Sequence, residues 1–465
     1  MAFPSLRLTP RLTASLVASG IVLSVLSCGA SQTKALPRLA DSQASACRVN
    51  ERVTSQSGRY SANVDLTASV ALPGEKGVDV VMTPWGAISA VNQTTGSALY
   101  WINPSTGEQL LTVELPGKIG DLAFSGDEIA IATENKILRM QAASGEMRSE
   151  IALEGVKRVA LSESGEVGAI AGKTVYLYDK DNAEVFSKLR NYTEVTDLEV
   201  RSCNGESSVY VTSFRNTSFV FRNQRNPVQI ARLEAFDFQG KPQWSLFGDP
   251  SETIRQNVAD TRLYRVTMGD DGFLYIAGES AGTATIFRWR GQPMTEDEQF
   301  GKAQTFLTRI DPYSQLHNSG AAHLPYYARV NPTTGELITA QMSFPRRSNT
   351  KANAMRLGDI AVAADGTLYF GGAASASIAN RDELTLNQVP VGGYAGRDTA
   401  WMAIAPNFQT RRFWTVLAEE GGKGKVQGVD TGYGYSAALS NVESGTVPVT
   451  AGEEGGFVFL SFTAE

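Results

Sequence analysis

The chain has 465 residues, 42% of them hydrophobic, a formal charge of −6, and only three cysteines and two histidines. A mildly acidic balance argues against nucleic acid, whose phosphates require a basic footprint, and against electrostatic docking on anionic lipid.

Arg7 and Arg11 form a basic region ahead of an apolar stretch over 12–26. That stretch is shorter than the roughly 20 apolar residues that span a bilayer, and its flanks are those of a secretory leader. It ends in Val25-Leu26-Ser27-Cys28, which resembles a bacterial lipobox, where the cysteine sulfur accepts a diacylglycerol. Ordinary cleavage after Ser27 or Ala30 is the alternative. The resemblance implies a signal peptide over 1–27, a lipid on Cys28 and an exported, membrane-anchored protein. Gly29, where an Asp would retain the protein at the inner membrane, implies the outer membrane, with the body facing the periplasm or the cell surface. Two or three acyl chains anchor stably. Loss of the leader takes the charge from −6 to −8. Residues 28–58, rich in Ser, Ala and Gln, read as a flexible tether with a reach of roughly 30 Å, and 59–465 as one folded domain. With Cys28 acylated, Cys47 and Cys203 remain as an even pair in an oxidising compartment and are candidates for a disulfide. Two unpaired, buried thiols are the alternative.

From residue 78 onward one pattern recurs: an apolar strand, a tight turn with Gly or Asp, and a second apolar strand. Val78-Asp79-Val80-Val81-Met82 turns at Trp85-Gly86, and Gly120-Asp121-Leu122-Ala123-Phe124 turns at Ser125-Gly126-Asp127. Further copies are centred on Val159, Leu198, Val266 and Ile360, with turns at Ser164-Gly165, Asn204-Gly205, Asp270-Asp271-Gly272 and Asp365-Gly366. A seventh, weaker copy is Val426-Gln427-Gly428-Val429, turning near Gly432 and Gly434. Asp-Gly and Asn-Gly accept the positive φ of hairpin turns. Strands this apolar on both faces belong between stacked sheets.

An outer hairpin follows several copies, as Asn103-Pro104-Ser105-Thr106-Gly107-Glu108, Ala143-Ser144-Gly145-Glu146 and Asn331-Pro332-Thr333-Thr334-Gly335-Glu336. A fourth version is Asp237-Phe238-Gln239-Gly240-Lys241-Pro242-Gln243-Trp244. Two hairpins per copy make the four strands of one propeller blade. Steps between Val80, Leu122, Val159, Leu198, Val266, Ile360 and Val429 are 42, 37, 39, 68, 94 and 69, against about 40 for a lean blade. The longer steps call for insertions, chiefly over 291–322 and 373–397. The expected fold is therefore all-β, a closed propeller of seven blades of four antiparallel strands, with eight as the alternative because the step of 94 has room for another blade. After the seventh copy one clear strand remains, around Phe457-Val458-Phe459-Leu460. A strand over 64–72, ahead of the first copy, can complete the last blade, close the ring and remove an exposed edge.

Thr106-Gly107-Glu108 and Gly240-Lys241-Pro242-Gln243-Trp244 resemble the PQQ-like propeller repeat. Ala364-Asp365-Gly366-Thr367-Leu368-Tyr369-Phe370-Gly371-Gly372 resembles the repeat of bacterial seven-bladed propellers, the SBBP type. Both resemblances rest on short motifs over roughly 60–465, and propellers host unrelated activities. A quinone-dependent enzyme of the PQQ-like class would carry a Trp closing most repeats and calcium-binding acids at the centre. Here Val113, Ile151 and Ala340 stand near the Trp place and only Trp244 fits, so no cofactor is expected.

No metal or catalytic motif stands out. His317 and His323 lack zinc spacing and read as loop or packing residues. Asp179-Lys180-Asp181-Asn182-Ala183-Glu184 reads as a polar turn, because Ala183 and the missing Gly break the alternating oxygens of a calcium loop. The insertions are the better lead, since on propellers they shape binding surfaces and Arg and aromatics are enriched at binding hot spots. Arg288, Trp289, Tyr326, Tyr327, Arg346 and Arg347 are the candidate binding-surface residues, with Arg411-Arg412 beside them. The functional expectation is a lipid-anchored, non-catalytic scaffold for an envelope protein partner. In layout this resembles the propeller lipoprotein of the outer-membrane barrel-assembly machine, with no interface residue carried over. Alternatives are glycan or small-ligand binding in the propeller funnel, and a hydrolase or lyase built on Asp260, Glu279 or Asp382.

Overall fold

The computed structural model describes residues 58–465, apart from 204–205, 222, 249–258, 282–285, 289–307, 310–322, 348–351, 395, 418–422, 445–456 and 464–465, together with residues 36, 38, 39 and 49. Cys28, Cys47, Trp289 and His317 lie outside the described residues.

Sheet 1 is built from Lys76–Thr83, Gly86–Asn92, Ser97–Ile102 and Gln109–Leu115, and sheet 2 from Ile119–Ser125, Glu128–Thr133, Lys136–Gln141 and Met147–Ala152. Sheet 3 holds Val156–Leu161, Val167–Ala171, Thr174–Tyr178 and Glu184–Leu189; sheet 4 holds Glu194–Cys203, Glu206–Phe221, Gln224–Asp237 and Pro242–Phe247. Sheet 5 comprises Thr261–Met268, Leu274–Ser280, Leu324–Val330 and Leu337–Met342, with the short Thr308–Arg309 added parallel at its outer edge. Sheet 6 comprises Met355–Val362, Leu368–Ala374, Asp398–Ile404 and Arg411–Val416. Sheet 7 takes Lys423–Gly432, Tyr435–Ser444 and Phe457–Thr463 from the end of the chain and Ala68–Leu72 from near its start. The four main strands of each of the seven pair antiparallel with their neighbours, mostly through hairpins.

The core lies between sheets. Buried apolar clusters join sheets 1 and 2, 2 and 3, 3 and 4, and 4 and 5; one spans 5, 6 and 7, and another joins 7 back to 1 through Val70, Leu72, Val80, Met82, Ala437 and Leu439. First strands of successive sheets pack side by side, and that of sheet 7 packs on that of sheet 1. Radial sheets around an axis of inner strands are a β-propeller. The residues between Val266 and Ile360 contribute one sheet, and the extra length lies in the 281–323 connection between its second and third strands.

Outer turns lock neighbouring sheets. The Trp101 indole N–H donates to the Ala142 carbonyl at 2.7 Å, and that of Trp244 to Pro332 at 2.9 Å. Gly335 has φ +71, and a Cβ there would sit 2.5 Å from the Trp244 ring, so the Thr-Thr-Gly turn both needs positive φ and leaves a seat for the preceding sheet's indole.

Within 28–58, the described residues 36, 38, 39 and 49 contact the sheets. The Leu36 and Leu39 amides donate to the Ala143 and Pro84 carbonyls, Arg38 lies over the Trp85 ring at 5.4 Å, and Val49 packs against the cluster of sheets 5 to 7. Asn63–Val64 then forms a small sheet with Thr385–Leu386 and Val389–Pro390.

Candidate functional site

A channel runs among the seven first strands and encloses about 200 Å³. Each of these strands is the free edge of its sheet, so its outward amides need acceptors other than a neighbouring strand. Each also carries a bulge, and the residue following it is Asp79, Asp121, Arg158, Asp197, Arg265, Asp359 or Gly428 in sheets 1 to 7. The bulge turns this residue toward the axis, producing a ring of four carboxylates and two guanidinium groups.

The carboxylates stitch one sheet to another. Asp121 accepts from the Val159 amide at 2.9 Å, Asp197 from Val266 at 3.1 Å and Asp359 from Val429 at 3.1 Å. One layer further along, Glu199 accepts from Met268 at 3.3 Å and Asp430 from Met82 at 2.6 Å. Arg158 pairs with Asp121 at 2.6 Å and reaches Asp197 at 3.9 Å; Arg265 pairs with Asp359 at 2.8 Å. Gly428 holds the seventh position without a side chain, and a Cβ there would meet Asp79 Oδ1 at 2.5 Å.

Burial dominates the titration of this layer. It pushes the Asp197 carboxyl up to about 6 against the pull of Arg158 and Arg265, Glu199 to about 8 with help from Glu163, and Asp430 to about 7. Asp79 is raised well above the usual carboxylate range by burial and by Asp359 and Asp121, and Asp359 is raised by burial despite Arg265. The channel is smaller than the roughly 300–1,000 Å³ of a small-molecule pocket, and its acids are committed to backbone amides and arginines. Its chemistry is that of a polar seam holding the sheets together. Among the described residues, no group of three or more His, Cys, Asp or Glu is placed to hold a metal ion.

The two long connections lie elsewhere. Both join the second and third strands of their sheets, 281–323 in sheet 5 and 375–397 in sheet 6, so they are rooted at the same end of adjacent sheets. The second is pinned by Arg381, which pairs with buried Asp398 and donates to the Gly392 and Gly393 carbonyls. Burial raises Asp398 to about 7 even against Arg381. This connection exposes Val389 by 50% and Tyr394 by 37%.

Tyr326 and Tyr327 correct the expectation of a binding surface: both are fully buried. Tyr326 stacks on Phe287 at 3.9 Å, and the Tyr327 hydroxyl meets Ser343 at 2.9 Å. They sit mid-strand in sheet 5, where both faces are covered. Arg346 is half-buried and Arg347 exposed, on the loop from sheet 5 to sheet 6 at the insertion end. Arg288 lies in the short 3-10 turn Ile286–Arg288, and Cys203 ends the first strand of sheet 4, without described side chains. Arg411 lies over Trp414 at 4.2 Å, and Arg412 pairs with Asp365 at 2.8 Å.

Of the three acids weighed for catalysis, two are linked through Arg262, which reaches Asp260 at 4.0 Å and His323, the partner of Glu279, at 3.4 Å. Asp260 accepts from the Gln229 amide at 2.8 Å, and Asp382 is exposed in the turn Arg381–Glu383. Glu279 is buried, accepting from the Leu357 amide at 3.0 Å and bonding His323 Nδ1. Asp179 accepts from the Asp181 and Ala183 amides, which is turn chemistry.

The ring itself escaped the reading of the sequence, which aligned Val80, Leu122, Val159, Leu198, Val266, Ile360 and Val429. The residue before each is charged in six of seven otherwise apolar strands, and that was the available signal.

No family model matches this chain, and no curated protein matches it. Solved structures do. Hydrazine synthase from Kuenenia stuttgartiensis aligns at TM-score 0.48 and 10% identity, over 82% of this chain and 98% of that one. BamB from Moraxella catarrhalis aligns at 0.43 and 12%, over 85% and 98%. KlHsv2 with loop 6CD replaced by a Gly-Ser linker aligns at 0.43 and 9%, over 79% and 91%. Because all three scores fall below 0.5, the propeller assignment rests on this chain's own sheets.

Proposed function

We propose that this chain is a lipid-anchored cell-envelope propeller, closed as seven blades, that serves as a non-catalytic scaffold for a protein partner. Cys28 would carry the anchor and, by the lipobox resemblance, place the body at the outer membrane. The observation that carries the scaffold reading is the shared root of the two long connections, which gives one end of adjacent sheets 5 and 6 an elaborated surface with exposed Val389 and Tyr394. Hot-spot chemistry favours aromatic anchors such as Tyr394. Ligand binding in the funnel is the second reading, disfavoured by the small, internally paired channel.

The test places a photo-crosslinking residue at Val389, or at Asn182 in an outer turn of the opposite end, in membranes carrying wild type or Cys28→Ala. One stoichiometric adduct from Val389, absent from Asn182 and reduced in Cys28→Ala, is the expected result. Adducts of equal yield from both positions, or none from Val389, would overturn the scaffold reading. Unchanged membrane retention of Cys28→Ala would overturn the anchor.

A further inference from the structure

Three residues before the ring position, each first strand begins at the insertion end, and that place holds Lys76, Lys118, Gly155, Glu194, Arg262, Arg356 and Lys425 in sheets 1 to 7. Five of the seven are cationic, and they are contiguous around the ring, running from sheet 5 through 6, 7 and 1 to 2. The strand registers fix their place: Arg262 pairs with Glu279 and Arg356 with Ala373, each one residue from the end of the strand from which an insertion departs. Lys76 pairs with Asn92 and Lys425 with Asn441 at the corresponding ends of sheets 1 and 7.

The arc is under-neutralised. Lys118 has Glu75 at 3.6 Å, and Arg262 has Asp260 at 4.0 Å besides its bond to the Gln229 side chain. Lys76, Arg356 and Lys425 form no ion pair among the described residues. Lys425, half-buried, has its pKa lowered first by burial and then by Arg265, with Arg356 and Lys76 adding to the effect and Glu279 opposing it. Three like charges held together on a protein of net charge −6 cost folding energy unless a partner offsets them.

We infer that this cationic arc is the docking site for an acidic segment of a protein partner, lying across the insertion end over sheets 5, 6, 7 and 1. The inference rests on the scaffold reading and names the partner's chemistry. Two further observations favour a peptide over a small anion or a lipid headgroup. The cations of the arc are spread over adjacent sheets instead of converging on one point. The second insertion sets exposed Tyr394 beside the arc: its hydroxyl donates to the Gly396 carbonyl, and a Cβ at Gly396 would lie 3.5 Å from the Lys423 side chain.

The experiment measures binding of a fluorescent octaglutamate peptide by anisotropy at 50 and 300 mM salt. It compares the wild type, the rim variant Lys76→Gln/Arg356→Gln/Lys425→Gln, and the control Lys157→Gln/Lys173→Gln/Lys180→Gln, with a thermal melt of each to establish folding. The expected result is at least a tenfold loss of affinity in the rim variant alone, with wild-type binding weakening at high salt as screening dictates. Equal losses in both variants, or no loss in either, would overturn the inference. So would equal competition by inorganic phosphate at matched charge, or rim-dependent retention on phosphatidylglycerol vesicles with no peptide binding. A Val389 adduct that persists unchanged in the rim variant removes the arc and leaves the scaffold standing; absence of that adduct from wild type removes the scaffold itself.

Discussion

Arg329→Met removes the cation that joins sheet 5 to sheet 6, the two sheets that carry the insertions. Arg329 is 1% exposed; its Nε donates to the Tyr275 hydroxyl at 2.9 Å and its Nη2 to the Pro406 carbonyl at 2.8 Å. The guanidinium lies 4.9 Å from the Phe408 ring centre, and Asp271 stands 3.9 Å away, itself bonded by Tyr275 at 2.5 Å. Methionine keeps most of the volume but strands a buried carboxylate, a class of change that costs about 3–5 kcal/mol. Burial already raises Asp271, with Arg329 pulling the other way, so the variant raises it further. Because its folded pKa then lies still higher above the unfolded value, the penalty is greatest at high pH and shrinks as the carboxyl protonates. Urea unfolding followed by tryptophan fluorescence at pH 7.5 and pH 5 measures both effects. Adding Asp271→Asn should recover at least half of the loss at pH 7.5. A cost below about 1 kcal/mol, a cost equal at both pH values, or a double variant as unstable as the summed singles would refute the reasoning.

Three further outcomes follow from the same geometry. Glu199 and Asp430 have folded pKa values raised to about 8 and about 7 by burial, so the stability they contribute is full below their unfolded values near 4 and is lost as pH rises through 7 to 8. Glu199→Gln/Asp430→Asn should flatten that fall in melts between pH 5 and 9, and an unaltered slope would count against it. Arg158→Met leaves Asp121 and Asp197 without their shared cation; since the Arg158 side chain is 23% exposed, the cost should be about 2 kcal/mol by urea unfolding, and a neutral result would show the ring to be dispensable. Arg381→Met unpins 375–397 and strands the buried Asp398 carboxylate, so limited proteolysis should cut there several-fold faster and the melting temperature should fall, and an unchanged digestion pattern would refute the pin.

The sequence by itself determined the elements. Short apolar strands and glycine turns are local properties, so the first strands around Val80, Leu122, Val159, Leu198, Val266 and Ile360 could be read directly, as could the outer Thr-Gly-Glu turns. The strand ahead of the first copy could be read as a partner for the last sheet because an unpaired final edge demanded one; the pairing covers Ala68–Leu72. Only the tertiary structure decided which side chains meet. Tyr326 and Tyr327 look like surface aromatics in a basic, loop-rich stretch, yet sheet-on-sheet stacking covers both faces of their strand. Glu279 and His323, 44 residues apart, become neighbours because the 281–323 connection returns to the strand it left. The charged ring and the cationic arc arise when seven free strand edges converge on one axis, so that a bulge at the same place in each strand aligns residues that no local pattern relates.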